Sequence, residues 1–185
     1  MIERSDEVAR TSVEGFDAIS LFSSNFSEKV KFKFGSRFET FPDVVNLFAA
    51  KGRDRIQIVN NNLGGPGLLA IHGQQGRDLL DASKFTGEVE LDGRVGREVL
   101  NGGRSRSELW GGSGADTFDL SRESSGVQWI MDFDPDVDQL RLDQTVGAYE
   151  IDVRGDDLWL LSGERAVAVF DGIVDQQDTL ELLIG

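Results

Sequence analysis

The stretch GGSGADTFD, Gly111 to Asp119, decides how this chain is read. Three glycines, a serine and an aspartate around one aromatic would be a flexible linker if they stood alone. They do not. Nine-residue windows set back from this stretch read GGPGLLAIH (64–72), GQQGRDLLD (73–81), then, past Ala82 and Ser83, KFTGEVELD (84–92), GRVGREVLN (93–101) and GGRSRSELW (102–110). With GGSGADTFD as the sixth window, glycine fills the fourth place in five (Gly67, Gly76, Gly87, Gly96, Gly114), Ser105 being the exception. The first place is glycine in five, with Lys84 the exception. The eighth place is apolar in all six: Ile71, Leu80, Leu91, Leu100, Leu109 and Phe118. A partial earlier copy, KGRDRIQI, puts Gly52, Asp54 and Ile56 at the same relative spacing.

A glycine recurring every nine residues marks a tight turn that needs positive φ or a close backbone approach. The apolar residue four places later then sits on a very short strand and points inward. Two such turn–strand units make one coil, and stacked coils bury the eighth-place side chains as a hydrophobic spine, each contributing roughly 1.5–3 kcal/mol when fully buried. No coil can bury its apolar face alone, so the array folds as a cooperative stack. The reading is an all-β protein, a parallel β-roll with capping strands at its N- and C-terminal ends.

Composition bounds the function. The 185 residues contain no Cys, which removes disulfides and thiolate metal sites, and 39% of them are hydrophobic, enough for a core. The opening MIERSDEVAR has no basic-then-apolar leader, and no segment approaches the 18 apolar residues of a membrane span. The net charge of −14 is lopsided: residues 1–62 carry 9 Lys/Arg against 9 Asp/Glu, and residues 63–185 carry 10 against 24. So acidic a surface disfavours nucleic acid and anionic lipid and favours cations or simple solubility.

At this point the residues resemble a known family. GGSGADTFD matches the glycine-rich nonapeptide GGxGxDxUx of the RTX (repeats-in-toxin, haemolysin-type) proteins, and WIMDFDPDVDQLRLD (129–143) resembles the segment that caps their arrays. The resemblance implies a roll whose turns hold Ca²⁺ between sixth-place carboxylates and turn carbonyls of neighbouring coils, as hard oxygen ligands suit that ion. On the matching nonapeptide the ligands would be Asp116 with the turn residues Gly111 and Ser113.

The sixth place departs from the family pattern. It reads Leu69, Asp78, Val89, Glu98, Ser107, Asp116. If windows alternate between two edges, every acid (Asp78, Glu98, Asp116) falls on one edge, while Leu69, Val89 and Ser107 close the other. The roll is then one-sided, with Ca²⁺ best placed between Glu98 and Asp116. Arg77 and Arg97 precede two of these acids and offer an alternative, a ladder of Arg–carboxylate pairs that needs no metal. The acidic turn Asp134, Asp136 and Asp138 is a further Ca²⁺ candidate, although an EF-hand is excluded because Val137 or Gln139 stands where glycine is required.

The chain divides into an N-terminal β segment (1–48), the roll (49–120) and a C-terminal cap (121–185). In the first, Val30, Phe32 and Phe34 alternate with Lys31 and Lys33; in the last, strands are expected at 149–153, 158–161, 166–170 and 180–184. The terminus DTLELLIG resembles an uncleaved type I export signal. A zinc-protease HExxH helix and a nucleophile elbow are missing, and the only histidine is His72, so no catalytic system is expected. Trp110, at an outward ninth place, is the candidate for stacking on a sugar. The expected function is a non-catalytic, calcium-binding roll of a secreted or cell-surface protein, exported by type I machinery. The alternatives are a polysaccharide-binding or attachment module, or the C-terminal piece of a larger secreted hydrolase or epimerase.

Overall fold

The computed structural model describes residues 2–3, 8–9, 18–22, 29–34, 43–61, 67–121, 126–145 and 147–184. The chain winds as a β-solenoid of about four turns, a parallel β-roll. One coil shows the plan. The front strand Leu68–His72 leads over a corner at Gly73 and Gln74 into a two-residue rim strand, Gln75–Gly76, and then past Asp78 into the back strand Leu79–Asp81. A turn over 82–87 returns the chain to the front strand of the next coil, Glu88–Asp92. The two residues Ala82 and Ser83 that break the nonapeptide count lie in this turn. It drives Phe85, 1% exposed, into the core.

The register follows the windows. On the front sheet Ile71, Leu91 and Leu109 pair in sequence; on the back sheet Ile56, Leu80, Leu100 and Phe118 do the same. All six eighth-place residues are 0% exposed. They form two ladders in separate sheets that share one core, where the periodicity alone suggested a single spine. The rim sheet stacks Gly52, Gly76, Gly96 and Gly114 directly on one another. At Gly96 (φ +151) and Gly114 (φ +143) a side chain would be strained, and its Cβ would collide with the carbonyl oxygen of the glycine one coil earlier. The fourth-place glycine therefore answers to both reasons, conformation and close approach.

Coil stacking runs on into both ends. Lys29–Phe34 pairs in parallel with Arg55–Asn61, and Ala18–Phe22 with Val44–Phe48, so the period-two strand read around Val30 is present. Two antiparallel strands, Ile2–Glu3 and Val8–Ala9, finish the back sheet. Phe38 and Phe41 lie outside the described residues. At the other end the front sheet passes from Gln128–Ile130 to Arg165–Phe170, then turns antiparallel through Asp157–Ser162 and Tyr149–Arg154. The back sheet ends on Gln139–Arg141.

One expected strand is a helix. Residues 180–184 belong to the helix Gln177–Ile184. Leu180 and Ile184, four apart, pack on the core from one helical face, and the Gln177 side chain donates to Glu181 at 2.7 Å. The four-residue apolar spacing outweighed the strand pattern. No described helix is long and apolar enough to cross a membrane.

Candidate functional site: a buried column of acids

Where the rim sheet hands over to the back sheet, each coil places one acid at the same position. The residues ahead of the paired back strands are Asp54, Asp78, Glu98, Asp116 and Asp138. They are 3%, 2%, 1%, 1% and 8% exposed. The three sixth-place acids thus stack on one edge, joined by Asp54 below and Asp138 above. The other edge stacks Leu69, Val89 and Ser107 in register and continues into Gln128. It closes by packing and by small polar contacts: Gly103 N–H donates to Ser107 Oγ (2.8 Å), and Gln128 Nε2 donates to the Gly103 carbonyl (3.2 Å).

On the acid edge one carboxylate oxygen of most members is committed to the coil below. Asp54 N–H donates to Asp78 Oδ1 (2.7 Å), Glu98 N–H to Asp116 Oδ1 (2.7 Å) and Asp116 N–H to Asp138 Oδ1 (2.9 Å). The second oxygens are different. Asp78 Oδ2, Asp116 Oδ2 and both Glu98 oxygens are buried without a hydrogen-bond donor. Arg77 and Arg97, which could have formed an Arg–acid ladder, are exposed, and no ion pair joins them to these acids among the described residues.

Carboxylates at this depth bind protons more tightly than in water. Burial is the first cause at Asp78, Glu98, Asp116 and Asp138. It lifts Asp78 to about 6, against the pull of the Asp54 N–H. Glu98 is pushed up to about 9, burial being reinforced by the Asp116 carboxylate beside it and by Asp78. Asp116 and Asp138 are raised as well, chiefly by burial.

The remaining sequence-derived candidates separate. Asp138 belongs to the column, and its Oδ2 also accepts from Asp134 N–H at 3.0 Å. Asp134 and Asp136 are exposed; Asp134 Oδ1 accepts from Asp136 N–H (3.1 Å), which makes them a solvated turn beside the column. Gly111 is buried at a corner, and Ser113 lies on the rim strand Ser113–Gly114, where its N–H donates to the Arg94 carbonyl (2.7 Å). Among the described residues no three His, Asp or Glu side chains converge on one point. The column is a row along the axis, so backbone or turn carbonyls would have to complete any metal shell.

Two further positions join the site. Asp54 was visible only as part of an incomplete repeat. Asp132 accepts from Gly111 N–H and Gly112 N–H, both at 2.8 Å, and so clamps the corner of GGSGADTFD from the following coil. No spacing rule links it to that corner. Trp110 sits at the front edge of the same corner, 39% exposed, beside Asp92 in the neighbouring coil. Asp92 Oδ2 is held by Arg94 Nε (2.8 Å) and faces His72 Nδ1 (3.3 Å), whose ring stacks on Phe48 with centroids 4.7 Å apart.

Fold and column together define a class: a parallel β-solenoid whose one edge is a buried row of carboxyl groups. Compared with models of known families, with curated proteins and with solved structures, the chain matches none.

Proposed function

We propose that this protein is a non-catalytic β-roll scaffold whose acid column takes up Ca²⁺, with the cation fixing the roll in its final form. The observation that carries the reading is the set of buried oxygens without donors at Asp78, Glu98 and Asp116. A buried carboxylate is tolerated when a proton or a cation neutralises it. Hard oxygens in a row, next to a rim of backbone carbonyls, suit Ca²⁺ rather than a softer ion. Asp78, Glu98, Asp116 and Asp138 would hold the ion, which would supply charge neutralisation between coils. The resemblance of GGSGADTFD and the 129–143 segment to RTX arrays supports the same reading. It extends it to export through type I machinery into a calcium-rich exterior, where uptake completes folding. His72 is occupied with Asp92 and Phe48, in keeping with a structural role.

The experiment is a thermal melt in millimolar Ca²⁺ against chelator, with calorimetric titration beside it. Saturation at a hundred times the dissociation constant adds about 2.7 kcal/mol, a rise of roughly 5–10 °C for a domain of this size. Identical midpoints in Ca²⁺ and chelator overturn the reading.

A further inference from the structure

The corner that carries Trp110 has features the acid column does not use. An indole with 39% exposure stands on a roll whose other large apolar side chains are mostly inside. Its register neighbour Asp92 is oriented, since Arg94 Nε (2.8 Å) and His72 Nδ1 (3.3 Å) both meet Oδ2. That leaves Asp92 Oδ1, and the outer guanidinium nitrogens of the half-exposed Arg94, without a partner among the described residues. The backbone beneath is held from both sides: Asp132 clamps Gly111 and Gly112, and Ser113 N–H donates to the Arg94 carbonyl (2.7 Å). An apolar platform, an acceptor and a planar donor therefore stand together on a rigid support.

We propose that Trp110, Asp92 and Arg94 form a shallow subsite for one neutral pyranose ring of a glycan. The C–H face of the ring lies on the indole, one hydroxyl donates to Asp92 Oδ1, and the neighbouring hydroxyl accepts from Arg94. Aromatic platforms of this kind combine large contact area with a polar rim, the ordinary arrangement of a binding surface. The charge of the chain selects the occupant. With 33 Asp/Glu against 19 Lys/Arg, and with Glu90 and Glu108 on the same front sheet, a polyuronate or sulfated chain is repelled. A neutral hexose polymer is not. The acid column and this corner are separate sites, and either can stand without the other.

The test is affinity electrophoresis of the full chain in native gels containing soluble glucan, mannan or galactan, with a polyuronate gel as the charged arm. Retardation by at least one neutral polymer is expected. Trp110→Ala should weaken it about tenfold or more, Trp110→Phe should retain most of it, and Asp92→Asn should fall between. A circular dichroism melt of each variant shows that the roll is still folded. Three outcomes overturn the proposal: no retardation by any neutral polymer, equal retardation of wild type and Trp110→Ala, or retardation by the polyuronate alone.

Discussion

Replacing Glu98 with glutamine tests the acid column most directly. Glu98 is 1% exposed, neither of its oxygens meets a donor, and burial with the adjacent Asp116 lifts it from 4.5 to about 9. Without a divalent cation, the folded chain keeps this carboxyl protonated at neutral pH, whereas the unfolded chain ionises it near 4.5. Between those two values the folded state binds more protons than the unfolded one. Stability therefore falls as pH rises through the window, by about 1.4 kcal/mol per pH unit. Below the window both states are protonated, above it both are ionised, and the slope from this group disappears. Asp78 adds a second slope of the same sign between 3.8 and about 6.

Glutamine keeps the shape of Glu98 and carries no titrating proton. Between about pH 6.5 and about pH 8.5, urea unfolding in chelator should show the wild type losing roughly 3 kcal/mol more stability than Glu98→Gln, because only the wild type gives up a proton on unfolding. Calcium entry expels the same proton. At neutral pH uptake should release about one proton, read as a calorimetric enthalpy that changes with the ionisation heat of the buffer. Equal pH slopes for the two proteins would refute the reasoning.

Two substitutions probe the frame that holds the column. Leu100 is 0% exposed between Leu80 and Phe118, so Leu100→Ala leaves a cavity in the back ladder and should cost about 2–5 kcal/mol in urea titration, with the denaturant slope unchanged. Gly96→Ala drives a Cβ onto the Gly76 carbonyl at φ +151 and should cost about 3 kcal/mol or abolish folding; Gly155→Ala, at φ +68 with open space around it, should cost only about 1 kcal/mol by the same thermal melt.

Much of this molecule is legible in one dimension because a repeat writes its stacking geometry into its period. Leu80 and Leu100 lie in register because glycine, acid and apolar positions return together, and a two-residue insertion at Ala82 and Ser83 is absorbed by a turn without shifting the ladder. The one-sided placement of Asp78, Glu98 and Asp116 follows from the same alternation. The C-terminal segment is less legible, since LELL satisfies a strand and a helix equally until Leu180 and Ile184 find a core to cover.

The period, the inward ladders and the edge on which the acids stand follow from residue order alone, for those depend only on which residue types recur. What each acid does was decided by the tertiary structure. Whether a carboxylate oxygen meets the backbone N–H of the coil below, an arginine or nothing depends on positions fixed to within an ångström across a step of 18 to 24 residues. Asp78 and Asp116 each spend one oxygen on that bond, Glu98 spends neither, and Arg77 and Arg97 stay outside. The pairing of Trp110 with Asp92, and the clamp from Asp132, arise in the same way, from neighbours that only winding the chain brings together.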